Sequence, residues 1–596
     1  MPSCGIGPPW KLTPRGIPPH HSEQISIKAL HNVKSPVGQA QWEAVLLGAN
    51  NNGTPSLTLS RGTDHHVEIE LASHSTAFVK FMFSKPERSG TQPRDRYSEC
   101  YEDEPFLVAY LRRKGDRTDD TKGVYGPCDV YTFGGPGSTS LKHEADEQEK
   151  EISEPFHFRT FRIMSIDIKV TEDTDLVFYG LGIWQTNYDL DVAAEFKVGT
   201  KTGQADLIQA LWTTSIRTLK NCMHDTYEDC PFYEQLQYAM DTRSSILFTY
   251  CVSGDDRLAR QAICQLYNSF QPALGLTASR APSHQLQIIP HFSLYWICMV
   301  FDHYRYFGDE LFTSRFLGVI DAVLRTFDER IDRNIGLIRA STTGDQWDFT
   351  NPLYAYTLKY AASCLQTLNL QNQAQAYLGR AKKTVEAIED HCFDGHFFAD
   401  GLATSADTAR DYSPHSQIWA VLCGAATGSD ACNLLKSSLT KTVLDKGPFD
   451  QPSVAMSFYT LRALSELGGV YDELFDSFWD PWREQLSQNV TTWVEDQVSQ
   501  RSDCHAWGSA PLHEFMAEVA GISPAEPGFR SISFKPRLAI FSSIKAQMPI
   551  NGLVGKGMND VQWERQGTST EISFSITAES GSKHLESITT YVVLPD

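Results

Sequence analysis

The sequence predicts a multidomain chain: an α/α six-hairpin toroid flanked by N-terminal and C-terminal β-sandwich regions. Three observations carry this prediction. Apolar residues recur with a period near two at both ends of the chain and near 3.6 across roughly 300 residues between them. The helical segments share no fixed-length repeat, which argues against a solenoid. The 596 residues exceed what one core supports.

Residues 1–202 form the first region. Runs such as HHVEIEL, AFVKFMF, FRIMSIDIKV and DLVFYGLGIW alternate or are β-branched, with Gly, Pro and Asp turns between them. The polar, acidic stretch from about 115 to 155 reads as a surface excursion within it. Residues 203–523 form the second region, beginning with ADLIQALWTTSIRTLKNC, where Leu207, Ile208, Leu211, Ile216 and Leu219 fall near helical spacing. About a dozen such helices follow, which suits six hairpins arranged in two layers. Residues 524–596 return to period two in RSISFKPRLAIF, TEISFSITAES and ITTYVVLPD.

Composition excludes several function classes. A formal charge of −21 with no basic stripe opposes nucleic-acid binding. No run of about 18 apolar residues is present to span a membrane. The 13 cysteines are scattered through apolar runs such as QAICQL and YWICMV, and read as buried free thiols rather than zinc ligands. The first residues lack a signal-peptide layout, so a cytoplasmic protein is expected. Two sequons, at Asn52 and Asn489, keep secretion as the alternative.

Two stretches concentrate chemistry. In HDTYEDCPFYEQLQYAMDTR, Pro231 suits a helix start, with Asp229 as N-cap and Glu234 in the first turn. Glu234, Tyr238 and Asp241 would then share one helix face. The ordinary reading is that Asp229 and Glu234 only cap a helix and offset its dipole. Asp241 is harder to dismiss, being set among apolar residues with Arg243 as a possible partner. The second stretch, VTTWVEDQVSQRSDCHAWGSAP, carries Glu495 and Asp496, then His505 and Trp507. Its ordinary reading is a cap and a satisfied buried histidine. Asp345 and Trp347 sit in a third cluster, on a loop between helices. Paired carboxylic acids with aromatic platforms suit glycosidic cleavage, where one acid stays protonated and the other stays ionised.

Asp229-Cys230-Pro231, then Glu234, then Asp241 resembles the signature of the α-L-rhamnosidases of glycoside hydrolase family 78. In many members the core reads Asp-Cys-Pro, a few residues, Glu-Arg-Leu-Gly-Trp, and Asp seven positions after the Glu. This chain keeps the Glu, the Leu, an aromatic and the Asp, and lacks the Gly and the Trp. The stretch TTWVED…RSDCHAWGSAP is similar to the family's second signature. The resemblance implies a β-sandwich, six-hairpin, β-sandwich order and an inverting exo-α-L-rhamnosidase. It implies Glu234 as general acid and Glu495 as general base, with Asp496 as the fallback. It also implies that Asp229, Tyr238, Asp241, Trp347 and His505 bind the terminal sugar, and Asp345 and Trp507 stand beside them as further candidates. No metal or cofactor is implied. The partner is a glycoside or oligosaccharide ending in L-rhamnose, with the oligomeric state open. Inversion leads us to expect carboxyl groups roughly 6.5–9.5 Å apart.

Other readings remain at this level. A six-hairpin enzyme could act on an unsaturated uronyl or another deoxy-hexose. A phosphorylase would use Arg501 to hold phosphate. A non-catalytic carbohydrate-binding relative would lack one carboxylate, yet both candidates are present.

Overall fold

The computed structural model describes residues 15–48, 55–85, 90–104, 111–134, 150–199, 204–338, 350–402, 412–440, 452–567, 569–579 and 588–594. Asp345, Trp347 and the sequon at Asn52 lie outside the described residues.

The N-terminal region is built on one long strand, Asp64–Ser84, which pairs antiparallel with Arg159–Lys169 on one side and Leu176–Asn187 on the other. Alternation places Val67, Ile69 and Leu71, then Val79, Phe81 and Phe83, in a core with Phe161, Met164, Ile166 and Phe178. Ile27–Lys34 covers the first half of the long strand and Lys150–Ser153 pairs with its end. Lys114 and Arg117, within or beside the stretch read as a surface excursion, are 1% and 2% exposed. They are buried against the C-terminal part of the helical region, described below.

From Gln204 to Val519 the described elements are helical. An inner series comprises Ala239–Ser253, Phe292–Phe307, Thr350–Thr367, Pro414–Cys423, Ser457–Ser465 and the turns from Ala506 to Val519. Each packs on the next, and the last packs back on the first. These segments are buried around most of their circumference, as Phe292–Phe307 illustrates with Leu294, Trp296, Val300 and Phe301 all fully buried. Outer helices are one-sided. Arg257–Asn268 buries Leu258, Ala259, Ala262, Ile263 and Leu266 against Phe292–Phe307 and turns its charged face outward.

The C-terminal strands make a four-stranded antiparallel sheet, whose hairpin from Ser543–Gly552 into Gly555–Gln566 closes in two residues. Glu195–Gly199, which the sequence assigns to the N-terminal region, adds to its edge through Ser543–Gly552. A five-residue strand carries no signal for its partner, so this pairing is invisible in the sequence. Among the described residues no helix is long and apolar enough to cross a membrane. The described cysteines are all free, and most are buried.

Candidate functional site

The sequence places Glu234 on a helix, and the structure corrects this. Residues 231–234 form a turn, 235–237 continue without regular structure, and the helix begins at Ala239, with Tyr238 as its N-cap residue. Asp229 is not an N-cap. Its backbone N–H donates to Leu236 O, and its Oδ1 accepts from Leu236 N–H, each at 2.9 Å. Asp229 therefore closes the loop that presents Glu234. Gln235 takes a φ of 54° at the loop's sharpest point, where its side chain donates to Pro231 O. Asp241 falls in the helix's first turn and meets His505, not Arg243, which pairs with Asp302.

The second stretch folds as two adjacent segments. Glu495 N–H donates to Ser502 O, and His505 N–H donates to Trp493 O. Trp493 anchors them: it is fully buried, with its indole N–H on Ser215 Oγ at 2.8 Å. Gly508 is required beneath it, because a Cβ there would lie 2.4 Å from Trp493 Cβ. The N-terminal region supports the same loop. Arg112 N–H donates to Ser499 O, Lys114 Nζ donates to Arg501 O at 2.8 Å, and Arg117 holds Asp503 through two parallel bonds of 3.0 and 3.1 Å.

These elements bring the two stretches together at Arg501. Its Nε and Nη2 bind Glu495 at 2.9 and 3.0 Å, and the same Nη2 reaches Glu234 Oε1 at 3.1 Å. The other oxygen of Glu234 accepts from Tyr238 O–H at 2.7 Å, and Tyr238 accepts from Arg280 at 2.6 Å. Glu234 Oε1 and Glu495 Oε1 each lie about 3 Å from this one nitrogen, so these two oxygens are at most about 6 Å apart.

Beneath this pair lies a buried layer. His505 Nε2 lies 3.1 Å from Asp241 Oδ1, and its ring stacks on Trp507 at 3.5 Å between centroids. Trp507 donates its indole N–H to the Glu495 carbonyl at 3.1 Å. Asp229, His505 and Asp241 are 3%, 2% and 7% exposed, whereas Glu234 and Glu495 open toward solvent. The structure thus gathers Asp229, Glu234, Tyr238, Asp241, Glu495, His505 and Trp507. Asp496, the fallback base, caps its own turn by accepting from Val498 and Ser499 N–H.

Burial pushes the Asp229 carboxyl up to about 6. Burial also raises Glu234, but hydrogen bonds from Tyr238 and Arg501 outweigh it and hold the carboxyl below its usual value. Tyr238 is pushed up, first by burial and then by Glu234. Asp229, Cys230 and His505 bring one ligand atom each within 4.8 Å of one another, a set of types able to hold a transition metal. Asp229 is already engaged by the Cys230 thiol and by Leu236 N–H.

Sequence reasoning missed Arg280 and undervalued Arg501. Six residues after a candidate base, an arginine in the same loop was the available signal. Lys114 and Arg117 carried none.

The structure is similar to several solved enzymes. The GH78 family rhamnosidase of Bacillus sp. GL1 matches with a TM-score of 0.75 at 21% identity, over 93% of this chain and 56% of that one. A rhamnosidase of Klebsiella oxytoca, with rhamnose bound, matches with a TM-score of 0.63 at 16% identity, over 84% of this chain and 96% of that one. The native α-L-rhamnosidase of Aspergillus terreus matches with a TM-score of 0.67 at 15% identity, over 96% of this chain and 61% of that one. The chain thus spans little more than half the length of the Bacillus enzyme. No curated protein matches it. Residues 197–519, more than half of the chain, match the model of the bacterial α-L-rhamnosidase six-hairpin glycosidase domain, and the chain belongs to that family.

Proposed function

We propose that this protein is a glycoside hydrolase releasing terminal α-L-rhamnose with inversion, Glu234 serving as general acid and Glu495 as general base. In this reading residues 203–523 are the catalytic toroid, between β-sandwich regions 1–202 and 524–596. The observation that carries it is the meeting of Glu234 and Glu495 across Arg501, above buried Asp229, Asp241 and His505.

The step balances as follows. Glu234 gives its proton to the glycosidic oxygen as the bond from that oxygen to the anomeric carbon breaks. Water forms the new bond from the opposite face, and its proton passes to Glu495. In this reading Asp229, Asp241 and His505 fix sugar hydroxyls, and such a buried polar set rejects sugars lacking them. Trp507 and Tyr238 offer rings to the apolar face of a 6-deoxy sugar. Glu495 is suited to the base role because its fork with Arg501 fixes the direction in which its carboxyl group points.

The test is nitrophenol release from p-nitrophenyl α-L-rhamnoside beside a panel of other p-nitrophenyl glycosides. Turnover confined to the rhamnoside is expected. Turnover of a different sugar alone would discard the rhamnose reading.

A further inference from the structure

Glu234 accepts hydrogen bonds on both oxygens, from Arg501 on one and Tyr238 on the other. A carboxyl held in this way is ionised, and burial alone would favour the proton it lacks. A general acid needs that proton. The ligand-free site therefore holds its acid in the wrong state, and something in the substrate must release it.

The Arg501 contacts are unequal. Glu495 is held by two parallel bonds, which fix its orientation. Glu234 is held by a single bond of 3.1 Å to a nitrogen that Glu495 already occupies. Among the described residues Nη1 of Arg501 makes no hydrogen bond. A second cation flanks Glu234: Arg280 reaches it through Tyr238, and the Arg280 Nε is buried with no partner among the described residues. A guanidinium with an unused donor and a second one close behind it are a cost in a site meant for neutral sugars alone. Arg501, with Nη1 unused and Nη2 shared, matches a planar carboxylate, which guanidinium binds through paired donors.

We propose that the leaving group of the natural substrate carries a carboxylate beside the scissile oxygen, and that this carboxylate takes the Arg501 contact now made by Glu234. A hexuronic acid glycosylated at O4 fits, since the carbon bearing its carboxyl adjoins the carbon bearing the leaving oxygen. Binding removes one donor from Glu234 and sets a like charge beside it. Both effects favour a protonated Glu234, which takes its proton from solvent and delivers it to the leaving oxygen. Glu495 keeps its fork with Arg501. As Glu234 leaves Arg501, the carboxyl groups part and make room for the attacking water. A neutral leaving group does none of this.

The inference rests on the rhamnosidase reading, and one experiment separates the two. The enzyme is assayed at a single pH on α-L-rhamnose linked to O4 of glucuronic acid, on the methyl ester of that disaccharide, and on p-nitrophenyl α-L-rhamnoside. The nitrophenyl substrate needs little protonation and reports the sugar pocket and base. The free acid is expected to exceed its ester at least tenfold in kcat/KM, with most of the difference in kcat, because the anion acts on the chemical step. Arg501→Gln is expected to bring the ratio below about threefold, whatever its effect on the absolute rates. Turnover of the nitrophenyl rhamnoside with equal rates on acid and ester overturns this inference and leaves the rhamnosidase reading standing. A preference that lies only in KM, or that survives in Arg501→Gln, overturns it as well. Silence on all three rhamnosides sinks both.

Discussion

One nitrogen, Nη2 of Arg501, donates to both Glu234 and Glu495, at 3.1 and 3.0 Å. This places a permanent cation between two groups that the proposed mechanism requires in opposite protonation states. The site is therefore tuned by how Arg501 divides its bonds, and removing it has a directional consequence. Arg501→Gln relieves Glu234 of one bond that depresses its pKa, so the acid stays protonated to higher pH. On a rhamnosyl disaccharide the alkaline limb of the kcat/KM profile should move upward, even as the overall rate falls. An unmoved limb would show that Arg501 does not set the acid.

The two carboxylates are separable by leaving group. Glu234→Gln should lower turnover of a disaccharide by about 10²–10⁴-fold while sparing p-nitrophenyl rhamnoside, whose leaving group departs without a proton. Glu495→Gln should silence both substrates, and added azide should restore turnover with a β-rhamnosyl azide as product. Near wild-type turnover of the disaccharide by Glu234→Gln would move the acid elsewhere.

Asp229 sets a pH dependence of stability. Its folded-state pKa is raised, to about 6 from an ordinary value of 3.8, mainly by burial. A raised group contributes stability that is present below its unfolded pKa and is lost as pH rises through the folded one. Denaturation of wild type and Asp229→Asn should therefore diverge between about pH 4 and 6, the wild type losing roughly 2–3 kcal/mol relative to the variant. Parallel curves across that window would contradict the assignment.

The loop carrying Arg501 depends on the N-terminal region. Arg117→Met leaves Asp503, 4% exposed, with Lys114 as its nearest remaining cation at 3.3 Å. Lys114 is shared with Glu99 and replaces neither of the two lost hydrogen bonds, so we expect a loss of about 3 kcal/mol in chemical denaturation. Arg117→Met with Asp503→Leu should recover much of it. A double variant no better than the single one would place the effect in packing rather than charge.

Much of this architecture was legible, because the switch between periods two and 3.6 depends only on which residues are apolar. HHVEIEL lies in a strand and LIQALWTTSIRTL in a helix, as their patterns require. The helix drawn through Glu234 failed for a local reason. Asp229 takes Leu236 N–H with its side chain, and Gln235 adopts a left-handed conformation, so the chain turns once more before the helix starts. Pro231, read as a helix start, occupies that turn instead. The pairing of Arg117 with Asp503 spans 386 residues and leaves no periodic trace. Candidate carboxylates were found because their type and company are unusual, whereas the arginines that govern them look like any surface arginine.

The most direct test of the account is the anomeric form of the first sugar released, followed by ¹H NMR on a rhamnosyl disaccharide before mutarotation sets in. The account predicts β-L-rhamnose as the initial product, with the α anomer appearing only later. Initial α-L-rhamnose would mean that one carboxylate attacks the sugar directly, and would contradict the roles given to Glu234 and Glu495.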